Sequence, residues 1–132
     1  VGQEAARRMV AGGKGGSIVN ISSIVGLGAI KTLSAYSASK AAVIALTRNM
    51  ALELARDKIR VNTIAPGYIA TELNAPYWNT DGGKRMIAHV PMQRLGTSDE
   101  LDGPLLLLAS DAGSFMTGSV LTVDGGHLLP TE

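Results

Sequence analysis

The sequence predicts an α/β fold built on a parallel, doubly wound sheet. Helical and strand-like segments alternate along the chain in the order helix, strand, helix, strand, loop, helix, strand. Strands that alternate with helices are joined by crossovers, and such connections produce parallel sheets. The 16 glycines cluster between apolar segments, where α/β turns need them. With 132 residues, 45% of them apolar, the chain is long enough for one domain with a core.

The first half of the chain contains the clearest periodic segments. An apolar face with helical spacing predicts a helix that ends before two consecutive glycines, and a long alanine-rich helix follows later. Two β-branched runs predict strands, and a Pro-Gly pair stops the second of them. The predicted bounds are helix 1–11, strand Ser17–Ser22, helix Ser34–Arg56 and strand Arg60–Ala65.

The second half is less regular. Residues 68–96 have no clear period, apart from a short predicted helix at Gly83–His89. Because a plain connection is rarely so long, we expect residues 72–94 to form a lid over a site within a single domain, 1–132. Capping-box spacing at Thr97 opens a helix to about Ala109, although Pro104 should bend it. A third strand is predicted at Ser119–Val123.

Composition excludes several classes of partner and site. The formal charge is +1, with 12 basic and 11 acidic residues, which gives no reason to expect nucleic acid or an anionic membrane surface. There is no cysteine, so disulfides and thiolate metal sites are excluded. His89 and His127 lie far apart in the sequence, so no metal site is predicted.

The chain shows no targeting or membrane segment. Its purely apolar runs, such as Leu105–Ala109, are too short to cross a bilayer. No signal peptide is visible, and we expect a cytoplasmic protein. Because a helical pattern begins directly at Val1, we also expect that Val1 lies inside a longer protein.

Tyr36 and Lys40 form the first candidate catalytic pair. They are four residues apart on the long predicted helix, so both side chains lie on one face. A nearby ammonium favours the phenolate and lowers the pKa of a tyrosine, which makes such a pair a usable general acid and base. A half-buried tyrosine beside a solvated lysine would give the same spacing.

Two further segments lie where a site is expected. Ser23 follows the first strand, and in open α/β sheets sites form outside the carboxyl ends of the strands. A serine hydroxyl there can hydrogen-bond a substrate oxygen, although it could equally be a loop cap. The segment from Pro66 to Thr71 follows the second strand, and its Gly67 would let the backbone approach a planar ligand.

Taken together, these motifs resemble the compact branch of the short-chain dehydrogenase/reductase family. Ser23, Tyr36 and Lys40 are followed in order by Asn62, Pro66-Gly67, Thr71 and Val123-Asp124-Gly125-Gly126. The similar stretches cover nearly the whole chain and include SIVNISSIVG, AYSASKAAVIALTRNMALELA, IRVNTIAPGYIATE, QRLG, LLASD and TGSVLTVDGG.

The resemblance implies a fold, a cofactor and residue roles. Members bind NAD or NADP on a Rossmann-type sheet and exchange hydride with a secondary alcohol or ketone. By the family pattern Tyr36 exchanges the substrate proton, Lys40 assists it and binds the nicotinamide ribose, and Ser23 orients the substrate oxygen. Residues expected to bind the cofactor are Tyr36, Lys40, Pro66, Gly67, Ile69 and Thr71. Tyr77 and Trp78 are candidate wall residues of the lid.

The resemblance also implies what this chain lacks. Family members are about twice as long, so we expect the C-terminal half of a Rossmann-type doubly wound sheet, with one edge bare. No glycine-rich phosphate loop is present, and we expect the 132 residues alone to be inactive. Seven alanines from Ala35 to Ala55 resemble the helices that members pair between subunits, which predicts a homo-oligomer, a dimer or tetramer.

Several alternatives remain open at the level of sequence. The lid and tail resemble gluconate and polyol dehydrogenases, and 3-oxoacyl-carrier-protein reductases fit nearly as well. A truncated chain could act only as a binding or oligomerisation module. The epimerase/dehydratase branch also uses Tyr-x-x-x-Lys, but it needs a larger C-terminal substrate domain than the six residues that follow Gly126.

Overall fold

A computed structural model describes residues 1–129 and contains a three-stranded parallel sheet with helices on both faces. The strands are β1 (Gly16–Ile21), β2 (Ile59–Pro66) and β3 (Val120–Val123), in the order β1-β2-β3. The helices are α1 (Gly2–Gly12), α2 (Ser34–Leu54), α3 (Ala75–Trp78), α4 (Asp81–Ala88) and α5 (Asp102–Ala109). The predicted α/β class and parallel pairing are therefore confirmed.

The register brings all three carboxyl ends of the strands to one edge of the sheet. Ile21 pairs with Ile64, and Pro66 pairs with Val123. The loops that follow the strands therefore emerge side by side. These are the loops that contain Ser23, Gly67 and Asp124, so the topology alone gathers the predicted site segments.

Strand β2 is the centre of the core. Val61, Asn62, Thr63, Ile64 and Ala65 are all buried, as expected for a central parallel strand covered on both faces. The buried Asn62 is satisfied: its Nδ2 donates to Met116 O at 2.8 Å and its Oδ1 accepts from Ser119 N at 3.0 Å. Asn62 therefore holds the segment before β3 in place, and its side chain is not available to bind a ligand.

Alternation along β1 shows that α2 and α5 lie on opposite faces. Asn20 Nδ2 donates to Thr47 Oγ1 of α2 at 2.9 Å, whereas Ser17 Oγ donates to Leu108 O of α5 at 2.8 Å. Residues three apart on a strand point to opposite sides, so the sheet is covered by α2 on one side and α5 on the other.

The structure corrects two predictions in the second half. The segment predicted as one helix from Thr97 to Ala109 is a 3₁₀ turn, Ser98–Leu101, followed by α5. Pro104 is the third residue of α5, where a backbone N–H has no acceptor within the helix, so it need not bend the helix. Within the irregular region, α3 was not predicted, because four residues are too few to show a period.

Within residues 1–129, β1 has a strand on one side only. Ile21, at its carboxyl end, is 52% exposed. No helix among the described residues is long and apolar enough to cross a membrane.

Candidate active site

The first turns of α2 hold Tyr36 and Lys40 together. The Lys40 Nζ lies 5.5 Å from the centroid of the Tyr36 ring, within the range of a cation–π contact. Nζ also donates to Ile21 O at 3.3 Å, which brings the ammonium to the carboxyl end of β1. The Tyr36 side chain remains 47% exposed, so its hydroxyl can be reached by a substrate.

The loop that contains Ser23 is packed against the same helix. The buried Ser22 donates from Oγ to Lys40 O at 2.8 Å. A Cβ on Gly26 would lie 2.8 Å from the carbonyl carbon of Lys40, so only glycine permits this approach. The loop and the Tyr36–Lys40 pair are thus fixed to one another.

Ser23 itself has a weakly used hydroxyl. It is the N-cap of the 3₁₀ turn Ile24–Gly26, and its Oγ accepts from Val25 N at 3.4 Å. That contact is long, and the hydroxyl proton is free to be donated elsewhere. Ser23 is therefore able to bind an external oxygen.

The segment from Pro66 to Thr71 lies at the same edge of the sheet. Gly67 is pressed against the turn after β3: a Cβ there would lie 2.7 Å from Asp124 Cα. Ile69 forms a parallel bridge with Gly96. Thr71 N donates to Asn74 Oδ1 at 2.9 Å, at the start of the segment that was predicted to form a lid.

These residues fit part of a nicotinamide nucleotide. Among residues 1–129, the Ile69 amide has no hydrogen-bond acceptor, because its bridge to Gly96 uses the amide of Ala70 and the carbonyl of Tyr68. The Lys40 ammonium has three protons and uses one of them on Ile21. One amide donor and one cation therefore remain available for a carboxamide and a ribose hydroxyl.

Four aromatic rings lie beside this segment. Tyr68 contacts Trp78 at 5.1 Å and His127 at 4.8 Å between ring centroids, and Tyr77 contacts Trp78 at 5.1 Å. Burial, and to a lesser extent the neighbouring Tyr77, raises the pKa of Tyr68. Tyr68 therefore remains an uncharged phenol at neutral pH. The rings of Tyr68, Tyr77, Trp78 and His127 are called the aromatic cluster below.

Sequence reasoning singled out Tyr77 and Trp78 but missed Tyr68 and His127 as possible site residues. Tyr68 directly follows Pro66-Gly67, and His127 directly follows Gly125-Gly126. Each is thus the first side chain after a glycine turn at the carboxyl end of a strand, and that position was the available signal.

An ion pair fastens the end of residues 72–94, the segment that was predicted to form a lid. Arg94 binds both carboxylate oxygens of Glu100, at 2.8 and 2.6 Å, and Glu100 also accepts from Thr97 N at 2.9 Å. The Arg94 hydrogen bond, followed by that from Thr97, lowers the pKa of Glu100 from 4.5 to about 2. The predicted capping box is confirmed.

Known proteins match this chain over nearly its whole length. A family model described as enoyl-(acyl carrier protein) reductase matches residues 1–127. Cis-4-hydroxycyclohexanecarboxylate dehydrogenase of Sinomonas cyclohexanicum is 45% identical over 126 residues, which are 96% of this chain and 50% of that protein. L-rhamnose 1-dehydrogenase (NAD(P)(+)) of Azotobacter vinelandii is 42% identical over 127 residues, 94% of this chain and 49% of that protein.

Solved structures of similar proteins have the same fold as this chain. A short-chain type dehydrogenase/reductase from Mycobacterium marinum is 45% identical with a TM-score of 0.90, covering 98% of this chain and 51% of that one. A gluconate 5-dehydrogenase from Burkholderia cenocepacia, in complex with NADP and tartrate, is 39% identical with a TM-score of 0.91 and the same coverage, 98% and 51%. The chain spans about half the length of the curated relatives it matches.

Proposed function

The chain belongs to the short-chain dehydrogenase/reductase family, and on that premise we propose that it supplies the acid/base half of an NAD(P)-dependent oxidoreductase. The reaction interconverts a secondary alcohol and a ketone. The observation that carries the proposal is the packing of the Ser23 loop onto the backbone of Lys40, four residues beyond an accessible Tyr36.

Each of the three residues has a distinct role in this proposal. During oxidation the Tyr36 phenolate oxygen accepts the proton of the alcohol and becomes a phenol, and during reduction that phenol returns its proton to the substrate oxygen. The Lys40 ammonium lies over the Tyr36 ring and stabilises negative charge that develops on the phenolic oxygen. Ser23 donates its hydroxyl proton to the substrate oxygen and holds that oxygen in place.

The dinucleotide is NAD or NADP, and it supplies or accepts the hydride when bound. On this chain, Lys40 and the Ile69 amide would hold its ribose and carboxamide, with Pro66, Gly67 and Thr71 shaping the pocket around them. Two relatives support the choice: one has NAD(P)(+) in its name and another was solved with NADP.

A dinucleotide-binding half completes the enzyme in this proposal. Parallel sheets are normally buried within a fold. Strand β1 pairs on one side only and its Ile21 is exposed, so its free side is suited to pairing with a further strand. Matching relatives are about twice the length of this chain, which leaves room for that half.

We further infer that the complete protein is a homo-oligomer. Only Ile44, Thr47 and Ala51 of the 21-residue α2 are buried, while Leu46 and Leu52 are 56% and 80% exposed. The alanines of this helix permit close approach of a second helix, and its exposed leucines favour burial. A monomeric mass for the complete protein in solution would contradict this inference.

The proposal is tested by comparing the chain alone with the chain fused behind the N-terminal half of the Burkholderia gluconate 5-dehydrogenase, called the fusion below. We expect NAD(P)H titration to show tight binding only for the fusion. Formation of NAD(P)H from a panel of secondary alcohols should likewise require it. Tight dinucleotide binding by the 132 residues alone would overturn the proposal that a separate half is needed to bind the dinucleotide.

A further inference from the structure

The turn that follows β3, residues Asp124–Leu128, is held rigidly at the edge of the site. The Asp124 carboxylate accepts from Gly126 N through one oxygen and from Leu128 N through the other, each at 2.9 Å. Gly125 and Gly126 have φ of 63° and 87°, which the turn requires and which side chains disfavour. The backbone at His127 is therefore fixed by its own turn.

This turn contacts segments from three other parts of the site. Asp124 packs against Gly67 of the proposed nicotinamide segment. A Cβ on Gly28, in the loop after Ser23, would lie 3.0 Å from Leu128 Cδ2. The carbonyl of Gly125 accepts from Met92 N at 3.2 Å, at the end of the lid. The turn is thus a common support for elements distant in sequence.

The beginning of the lid is supported in a different way. Helix α3 has only four residues, too few to be stable by itself. Gly83 of α4 packs on it, since a Cβ there would lie 2.7 Å from Trp78 Cα, so α3 and α4 form one unit. The ring of Trp78 joins that unit to Tyr68, and Tyr68 is met by His127 almost edge-on, at 84°.

In the part of the chain that the structure describes, no hydrogen bond joins the rings of His127, Tyr68 and Trp78. Within residues 1–129, Trp78 Nε1 and His127 Nδ1 are both buried without a hydrogen-bond partner. The indole ring of Trp78 is therefore held by packing, which includes its contacts with the Tyr68 and Tyr77 rings. Because edge-to-face pairs have preferred geometries, the His127 ring restricts Tyr68, and Tyr68 in turn restricts Trp78.

We propose that His127 is a positioning residue for the wall of the substrate pocket that Tyr77 and Trp78 form. Through Tyr68 it fixes Trp78, and with it the beginning of the lid, against the nicotinamide segment. This inference rests on the proposed function for what the wall encloses, since the lid is expected to close over an alcohol or ketone. His127 itself need not touch that substrate.

The first test uses the fluorescence of the 132-residue chain, because Trp78 is its only tryptophan. His127→Ala should raise quenching of Trp78 by acrylamide severalfold, whereas His127→Phe, which keeps a ring at this position, should restore most of the protection. His89→Ala is the matched control, because His89 is exposed just after the end of α4 and has no part in the aromatic cluster. Unchanged quenching in His127→Ala would refute the proposal without bearing on the enzyme assignment.

The second test uses turnover in the fusion. Loss of one aromatic contact corresponds to a factor of roughly three to ten. We expect His127→Ala to raise the KM for the alcohol by that factor, with kcat and the KM for the dinucleotide little changed. An equal fall in kcat with unchanged KM would contradict a positioning role. Should His127→Ala fail to fold, His127→Phe and Tyr68→Leu keep the test decisive: the first must behave as the wild type and the second must reproduce the KM effect.

Discussion

Ser22 and Ser23 are neighbours with opposite surroundings. Ser22 is 3% exposed, and its hydroxyl donates to Lys40 O. The hydroxyl of Ser23 accepts only one long hydrogen bond, and Ser23 is partly accessible. A residue whose polar group is free at the carboxyl edge of a sheet is suited to binding, and one whose polar group is buried and paired is suited to structure.

Alanine substitutions should separate these two roles. In the fusion, Ser23→Ala should lower kcat by about 10²-fold, because a donor to the substrate oxygen is lost, while stability measured by urea unfolding changes little. Ser22→Ala is the matched control and should lower the free energy of unfolding by about 1 kcal/mol, because a buried hydrogen bond is lost. Equal catalytic losses in the two variants would argue against the assigned role of Ser23.

Where the loop after β1 meets α2, the contact is made by backbone against backbone. Because a Cβ on Gly26 would collide with the carbonyl of Lys40, Gly26→Ala must push the loop and the helix apart. We expect a loss of about 1–3 kcal/mol in urea unfolding, with reduced turnover in the fusion. Gly12→Ala, at the end of α1, has open space around its Cβ and should not destabilise. A neutral Gly26→Ala would contradict the close packing.

Glu100 joins Arg94, at the end of the predicted lid segment, to the 3₁₀ turn before α5, and its ionisation makes the stability of the fold depend on pH. The pKa of Glu100 is depressed to about 2 in the folded chain, so the carboxylate favours folding at any pH above its ordinary value of 4.5. The contribution declines as the pH falls from 4.5 toward 2. Glu100→Gln should therefore be less stable than the wild type at neutral pH, and the difference should shrink on acidification.

Acid unfolding monitored by circular dichroism checks this expectation. The control is Glu72→Gln, because Glu72 is exposed at the start of the lid and has no ion pair within residues 1–129. A stability difference between Glu100→Gln and the wild type that stayed constant down to pH of about 2 would show that the pair does not act through ionisation.

The strands and helices α1, α2 and α4 could be predicted from the sequence, whereas the one-turn helix α3 and the start of α5 could not. Helix α2 was predicted from Ser34 because its pattern extends over many turns. Helix α3 has one turn, which leaves no period to detect. Pro104 was expected to bend a helix that started at Thr97. Because α5 begins at Asp102, only two residues before Pro104, the proline lies in the first turn, where it is tolerated.

Across the whole molecule, the sequence placed the strands and the Tyr36–Lys40 pair correctly, because both follow from local spacing and from the rule for carboxyl ends of parallel strands. The aromatic cluster could not be predicted. Tyr68, Trp78 and His127 come from three separate segments, and their contacts depend on tertiary packing that no local pattern reports. The positions of these rings became visible only in the structure.

The central claim is that Tyr36 transfers the proton between substrate and enzyme. The most direct measurement is turnover of the fusion with Tyr36→Phe, which keeps the ring over Lys40 and removes only the hydroxyl. We expect kcat to fall by about 10²–10⁴-fold, the usual contribution of general acid/base catalysis, with NAD(P)H affinity largely retained. Tyr77→Phe keeps the ring that packs on Trp78 and removes only a hydroxyl that donates to Met86 Sδ, so it should retain most activity. Undiminished turnover by Tyr36→Phe would contradict the account.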